Sequence, residues 1–98
     1  MTIQKDIERN ETRYLHRFAD FAGKRVLEIG CGEARLTWQY AKETRSTIGI
    51  DIDADALRVA MIDRSSDLEN KVNFSRAMSE QLPFSKETFD LALLAWSF

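Results

Sequence analysis

This sequence has few of the residues that cross-link small proteins. It contains one cysteine among 98 residues, which excludes an internal disulfide and any zinc site built on several cysteines. Residues 1–10 lack the apolar segment of a signal peptide. No apolar stretch approaches the roughly 20 residues that a membrane-spanning helix needs. We therefore expect a cytoplasmic protein that does not span a membrane.

Neither sign of charge dominates the chain. It carries 14 Lys and Arg against 16 Asp and Glu, for a net charge of −2, and the basic residues are interspersed with acidic ones. Binding to nucleic acid would need clustered basic residues, so we expect no nucleic-acid partner. The hydrophobic share of 44% and charged share of 31% are typical of one soluble globular domain.

Apolar residues near helical spacing predict an N-terminal helix over residues 1–23, with Gly23 as its stop. Further along, apolar runs alternate with amphipathic stretches. The predicted strands are residues 25–30, 46–51, 71–75 and 89–98, and the predicted helices are residues 33–44 and 53–66. In the second of these helices, Asp53 is the expected N-cap, and Leu57, Ala60 and Met61 are expected to face inward.

Buried strands that alternate with helices predict a parallel sheet with helices on its faces. Right-handed crossovers then favour a Rossmann-like, doubly wound α/β fold with strand order 3-2-1-4, ending after the fourth strand. That fourth strand would be a long apolar edge, which promotes self-association. We therefore expect either a homodimer through the fourth strand or a chain that is part of a longer protein.

The stretch VLEIGCGEARL, residues 26–36, follows the first predicted strand. Gly30 and Gly32 have no Cβ, so the backbone can turn sharply there and approach a ligand closely. In a doubly wound fold this loop lies where ligands bind. A tight strand-to-helix turn without a ligand is the alternative interpretation.

Two carboxylates, Glu28 and Glu33, flank this turn, and Arg35 occupies the third glycine position of a dinucleotide-binding motif. Negative side chains beside a pyrophosphate are unfavourable by about 1 kcal/mol or more for each close pair. A cationic ligand reverses that sign. The pattern therefore favours a positively charged ligand over NAD and makes a nicotinamide-dependent oxidoreductase the weaker interpretation.

At this stretch the chain resembles motif I of the class I S-adenosyl-L-methionine (SAM)-dependent methyltransferases. Glu28 matches the acidic position, Gly30 and Gly32 match the first two glycines, and Cys31 lies between them. The resemblance implies that Glu28 orients the methionine end of SAM. Ala34 stands at the third glycine position, where we expect it to be tolerated with a negative φ.

Further residues match the later motifs of the same family. In IGIDID, Asp51 resembles the acid that binds the ribose hydroxyls, and Ile52 would lie against the adenine ring. Without the resemblance, Asp51 could equally be an ordinary strand-end carboxylate or cap. The stretch of residues 77–98 resembles the third and fourth motifs. It would place Met78, Ser79 and Glu80 around the adenine, and Ala95 beside the acceptor pocket.

The resemblance covers residues 24–98, which would form an incomplete SAM-binding core. It implies methyl transfer from SAM to a small-molecule acceptor, and its Leu-Pro-Phe form favours the ubiquinone and menaquinone C-methyltransferase branch. It assigns no catalytic residue and no metal, and methyl transfer needs no nucleophile from Cys31. The alternative is a noncatalytic module of the same fold that acts in dimerisation or regulation. The implied SAM-binding residues are Glu28, Gly30, Cys31, Gly32, Asp51, Ile52, Met78, Ser79, Glu80 and Ala95.

Overall fold

A computed structural model of the chain describes residues 2–5, 20–78 and 88–95. In this part of the chain, short helices alternate with strands. The strands are β1 (Thr2–Lys5), β2 (Arg25–Ile29), β3 (Ser46–Asp51), β4 (Val72–Arg76) and β5 (Leu91–Leu94). The helices are α1 (Thr37–Tyr40) and α2 (Ala54–Asp63), with single 3₁₀ turns at Ala41–Glu43 and Ser66–Leu68. No helix in these ranges is both long and apolar enough to cross a bilayer.

The strands form one parallel sheet in the order β1-β5-β2-β3-β4. Four of them, β4-β3-β2-β5, reproduce the predicted order 3-2-1-4, so the Rossmann-like fold is confirmed. Strand β2 lies at the centre, where Leu27 pairs with Ile48 on one side and Ala92 on the other. The carboxyl ends of these strands therefore meet at one edge of the sheet.

Strand β1 contradicts two predictions. Residues 2–5 belong to a strand and not to a helix, and they pair with β5 from Thr2 opposite Leu91 to Lys5 opposite Leu94. The outer backbone groups of β5 are therefore hydrogen-bonded, and β5 is not the exposed edge that the sequence predicts. Helical spacing reports only local contacts, so it could not detect this long-range pairing. The rest of the predicted N-terminal helix, residues 6–19, lies outside the described residues.

Helix α1 is shorter than the predicted helix over residues 33–44. It begins only at Thr37, because Ala34 has a φ of 71°, which lies in the left-handed region and cannot continue a right-handed helix. The expectation of a negative φ at Ala34 is therefore wrong. The four residues before α1 belong to the glycine loop and not to the helix.

Helix α2 agrees better with its prediction. The Asp53 side chain caps its N-terminus by accepting hydrogen bonds from two backbone N–H groups of the first turn, at 3.0 and 3.1 Å. Leu57 and Ala60 are buried as predicted. Met61 is 45% exposed, so its predicted inward position is wrong. The buried line of this helix follows the i, i+3 spacing and leaves the i+4 position in solvent.

Apolar clusters cover both faces of the sheet, and two of them lie over its central strands. Because strand side chains alternate between faces, Val26 and Leu27 belong to different clusters. The first comprises Phe21, Val26, Leu36, Tyr40, Leu91, Leu93 and Ala95, and the second is built on Leu27, Ile50, Phe89 and Ala92. Glu28 lies two residues after Val26 and therefore faces the first cluster, which contains Tyr40 from α1. A carboxylate is thus directed into the protein interior.

Polar contacts connect the amino ends of the strands. Asp90 Oδ2 accepts hydrogen bonds from the Arg25 backbone N–H at 2.9 Å and from its Nε at 3.1 Å, while Asp90 Oδ1 lies 3.0 Å from Nη2. The hydroxyls of Thr44 and Thr47 lie 2.9 Å apart, and both residues are buried. These contacts join β2 to β5 and hold the start of β3.

Candidate functional site

The glycine loop, residues 30–36, joins β2 to α1 at the carboxyl edge of the sheet. Three of its residues have positive φ: 77° at Gly30, 56° at Gly32 and 71° at Ala34. A Cβ added to Gly32 would meet nothing within 4 Å. The backbone at Gly32 is therefore bare, with open space beside it into which a ligand could fit.

The loop is tied to β3 through its backbone N–H groups. The N–H groups of Gly30 and Cys31 both donate to the Ile50 carbonyl oxygen, at 2.9 and 3.0 Å. The Gly32 N–H donates to Asp51 Oδ2 at 2.8 Å. These contacts hold the turn against the end of the neighbouring strand. The glycine loop and the predicted ribose-binding acid are thereby brought into direct contact.

The Asp51 carboxylate is half-buried and uses both of its oxygens. While Oδ2 binds the loop, Oδ1 accepts a hydrogen bond from the Asp53 backbone N–H at 2.9 Å. An ionised carboxylate has about four acceptor positions, so these two bonds leave capacity for further donors. Its position at the carboxyl edge, beside the loop, is compatible with ribose hydroxyls as those donors.

Glu28 is fully buried beneath the loop. Its Oε1 accepts hydrogen bonds from two hydroxyls of α1, Thr37 Oγ1 at 2.9 Å and Tyr40 Oη at 2.5 Å. The sequence analysis did not single out Thr37 or Tyr40. The sequence does contain hydroxyl side chains 9 and 12 residues after Glu28. Only the folded structure shows that α1 packs against β2 and brings these hydroxyls to the carboxylate.

The side chain of Cys31, within the loop, packs against β3 at Gly49, and Cys31 is 6% exposed. Burial raises the pKa of its thiol, and the negative charges of Glu28 and Asp51 raise this pKa further. The thiol is therefore protonated at neutral pH and is a poor nucleophile. Glu28 and Asp51 thus lie close enough to Cys31 for their charges to act on its thiol.

Gly49 in β3 provides the space for Cys31. A Cβ at this position would lie 2.8 Å from Cys31 Sγ and 2.9 Å from Phe74 Cδ1. The sequence analysis did not select Gly49 as part of the site. A glycine inside an otherwise apolar strand often marks a close approach of another chain segment, and that was the available signal.

Two apolar side chains are exposed where neighbouring strands end. Ile52 follows β3 and is 61% exposed, and Met78 lies just beyond β4 and is 49% exposed. The Ala77 N–H donates to the Asp51 carbonyl oxygen at 3.1 Å, which keeps these two strand ends together. Such surfaces can stack against a flat apolar ring. Both positions agree with the predicted adenine contacts, which stay predictions.

The remaining predicted site residues are distributed differently. Ala95 is buried, and its N–H donates to the Ile29 carbonyl oxygen at 2.8 Å, directly before the glycine loop. Ser79 and Glu80 lie outside the described residues. The structure therefore brings together Glu28, Gly30, Cys31, Gly32 and Asp51, with Ala95 beside them and Ile52 and Met78 at the same edge.

Comparison with known proteins places the sequence of this chain in a family. The sequence model of a family described as a methyltransferase domain matches residues 20–95. The ubiquinone biosynthesis O-methyltransferase of Nitrosospira multiformis is 38% identical over 69 residues, a match that covers 70% of this chain and 28% of that enzyme. This chain therefore spans less than a third of the length of that relative.

Solved structures of other proteins also resemble this chain in fold. The YcgJ protein of Bacillus subtilis has a TM-score of 0.76 and 24% identity, over 85% of this chain and 36% of the other. A SAM-dependent methyltransferase of Methanosarcina mazei has a TM-score of 0.65 and 30% identity, over 81% of this chain and 39% of the other. The first of these supports the fold alone, and the second also matches at the level of sequence.

Proposed function

Because this chain belongs to the methyltransferase-domain family, whose cofactor is SAM, we propose that it supplies the SAM-binding site of a methyltransferase. The observation that carries the proposal is the hydrogen bond from the Gly32 N–H to the Asp51 carboxylate. It joins a bare backbone turn to a negative side chain at the carboxyl edge of the sheet, where doubly wound folds bind ligands.

The charge of the site supports a cationic ligand. SAM carries an ammonium and a sulfonium, and both would be stabilised by the field that Glu28 and Asp51 exert at Cys31. The same field disfavours a diphosphate. We therefore propose that Glu28 acts on the methionine end of SAM from beneath the loop, and that Asp51 accepts hydrogen bonds from its ribose.

The site residues would bind and orient, and they need not react. When bound, SAM supplies a methyl group that an acceptor takes by in-line displacement from the sulfonium. The glycine loop would bring its backbone close to the ligand, and Ile52 and Met78 would cover the adenine. Orientation of this kind is a large source of rate acceleration without an enzyme nucleophile, which fits the buried, protonated thiol of Cys31.

We propose a small-molecule acceptor. The matched Nitrosospira enzyme is named for ubiquinone biosynthesis, and the basic residues of this sequence are interspersed with acids. The name of the Nitrosospira enzyme specifies an O-methyltransferase, whereas the Leu-Pro-Phe sequence of residues 82–84 in this chain resembles C-methyltransferases. Methylation assays with phenolic oxygen acceptors and with quinone-ring carbon acceptors would separate these two outcomes.

Isothermal titration of the 98-residue chain with SAM, S-adenosylhomocysteine and NAD tests the proposal. We expect the first two to bind and NAD not to bind. Asp51→Asn should weaken SAM binding by about tenfold or more, because hydrogen bonds to a charged group contribute roughly 1.5–3 kcal/mol.

Asp53→Asn is the matched control. Asp53 is the neighbouring acid, but it caps α2, and asparagine caps a helix equally well. We therefore expect this variant to bind SAM as the unmodified chain does. No heat and no thermal shift with millimolar SAM, or binding of NAD in its place, would contradict the proposed function.

A further inference from the structure

Glu28, Thr37 and Tyr40 form a buried polar cluster, here called the Glu28 cluster. All three residues are fully buried. The two hydroxyls donate to the same carboxylate oxygen, at 2.9 Å from Thr37 and 2.5 Å from Tyr40. Buried polar groups are stable only when they are hydrogen-bonded. The cluster therefore fixes how the Glu28 side chain and α1 lie relative to each other.

The Glu28 cluster closes the base of the glycine loop. Glu28 lies two residues before the loop begins, and Thr37 is the first residue after it ends. Between them, three residues have positive φ, and the backbone hydrogen bonds include a turn bond from the Ala34 N–H to the Cys31 carbonyl oxygen at 2.9 Å and a bond from the Trp38 N–H to the Ala34 carbonyl oxygen at 3.1 Å. In addition to these local bonds, the loop is held by the Glu28 cluster at its base and by Ile50 and Asp51 at its side.

The Tyr40 hydroxyl is well placed to hold the Glu28 carboxylate. Its ring stacks on Phe21 with centroids 4.3 Å apart and an interplanar angle of 14°, so packing holds the phenol in place. Burial raises the pKa of Tyr40 well above its ordinary value, and the Glu28 charge raises it further. The hydroxyl therefore keeps its proton and donates throughout the physiological pH range.

We propose that Thr37 and Tyr40 are positioning residues that hold Glu28, and through it the glycine loop, in the conformation that binds SAM. The identity of the ligand rests on the proposed function above. The effect on the loop does not, because it can be measured without a ligand. A loop held in its binding conformation before the ligand arrives loses less entropy on binding and so binds more tightly.

The experiment compares two substitutions at one position. Thr37→Val keeps the shape of threonine and removes the hydroxyl, whereas Thr37→Ser keeps the hydroxyl and removes a buried methyl group. We expect Thr37→Val to weaken SAM binding by about tenfold and Thr37→Ser to recover most of that loss. Tyr40→Phe keeps the stacked ring and removes the other donor, so it should weaken binding by a similar factor.

Thr47→Val is the control variant. It removes a buried hydroxyl of the same kind at the amino end of β3, from the pair with Thr44. It should lower the melting temperature and leave SAM affinity within about twofold of the unmodified chain. If Thr37 contributed only to overall stability, Thr37→Val would behave like Thr47→Val: its melting temperature would fall and its SAM affinity would stay unchanged.

Amide hydrogen exchange gives a second readout, without ligand. In Thr37→Val and Tyr40→Phe we expect the Gly32 amide, which donates to Asp51, to exchange faster. The Asp90 amide, which donates to the Arg25 carbonyl oxygen at 2.8 Å at the other end of the sheet, should change little. Equal acceleration at both amides would indicate global destabilisation and would overturn the proposal.

The outcomes separate this inference from the proposed function. If the unmodified chain binds SAM and the four variants all bind with equal affinity, the positioning role is wrong and the proposed function stands. If the unmodified chain fails to bind SAM while Gly32 exchange rises selectively, the proposed function is wrong and the positioning of the loop stands.

Discussion

The two ends of the parallel sheet differ in how they use polar groups. At the amino ends of the strands, Arg25 and Asp90 bind each other directly, and the Thr47 hydroxyl donates to Thr44 Oγ1, whose own hydroxyl donates to the Ala41 carbonyl oxygen. At the carboxyl ends, Asp51 holds the backbone of the glycine loop and retains acceptor positions. Among the described residues, positive φ occurs three times in this loop and once at the other end, at Gly23.

This difference suggests that the amino end of the sheet serves mainly the stability of the fold and the carboxyl end serves ligand binding. The amino end joins strands that are distant in sequence, and in its open turn at Gly23 the Ala22 N–H donates to Asp20 Oδ1 at 3.0 Å. The carboxyl end keeps irregular backbone, apolar exposure at Ile52 and Met78, and carboxylates whose field reaches the loop. Substitutions at the two ends should therefore change different measurements.

Gly49→Ala should have the largest effect. A Cβ here would lie 2.8 Å from Cys31 Sγ and 2.9 Å from Phe74 Cδ1, so either the loop or the aromatic ring must move. Overpacking of this kind costs about 1–3 kcal/mol. We expect urea unfolding to show that loss and titration to show weaker SAM binding, because Cys31 belongs to the loop.

Gly23→Ala is the matched substitution at the amino end. Its φ is 69°, and nothing lies within 4 Å of the added Cβ, so its cost is backbone strain of about 1–2 kcal/mol without a clash. We expect a similar fall in stability but unchanged SAM affinity. If both alanine variants lost affinity in proportion to stability, the two ends would not be independent.

Much of the sheet could be predicted from the sequence, because the signals are local. The apolar run over residues 46–51 corresponds to β3 at both of its ends, and Asp53 caps α2 as its side-chain chemistry predicts. Strand β1 could not be predicted in this way. Its partner β5 lies almost 90 residues away, and helical spacing in residues 1–23 indicated a different structure.

For the candidate site, the sequence selects residues whose SAM-binding role stays a prediction, and it does not give their geometry. Motif positions identified the loop and Asp51, but not the φ of 71° at Ala34, since alanine in itself favours helix. Nor could they identify Tyr40 as a donor to Glu28. That contact depends on where α1 packs, and an aromatic residue at a buried helix position indicates only core.

Asp90→Asn should have the next largest effect, on stability alone. Hydrogen bonds from Arg25, followed by the Arg25 charge, hold the pKa of Asp90 well below its ordinary value. A lowered pKa in the folded state means that the pair stabilises the protein above the unfolded pKa, about 4. This contribution is lost as the pH falls further. We therefore expect Asp90→Asn to lower the melting temperature at pH 7 without changing SAM affinity.

The pH dependence provides the control. The difference in melting temperature between the unmodified chain and Asp90→Asn should stay constant from pH 7 to about 5 and shrink below about pH 4. Asp55→Asn breaks the exposed pair with Arg58, at 2.9 Å, and should change little at any pH, because exposed pairs contribute little. A difference that grew on acidification would contradict this account of Asp90.

Ala34→Gly should have the smallest effect, although it removes a fully buried methyl group. Losing such a group costs about 0.8 kcal/mol, but glycine relieves about 1–2 kcal/mol of strain at a φ of 71°. We expect the free energy of unfolding to change by less than about 1 kcal/mol after the unfolded-state entropy of glycine is included.

Ala41→Gly is the matched variant for this last comparison. Ala41 is equally buried but has a φ of −58°, so glycine there relieves no strain and adds its own backbone entropy cost of about 0.5–1 kcal/mol. Urea unfolding should therefore show Ala41→Gly to be less stable than Ala34→Gly by roughly 1–2 kcal/mol. Equal losses at the two positions would mean that the left-handed backbone of the loop carries no strain, and that position 34 is held like any other core alanine.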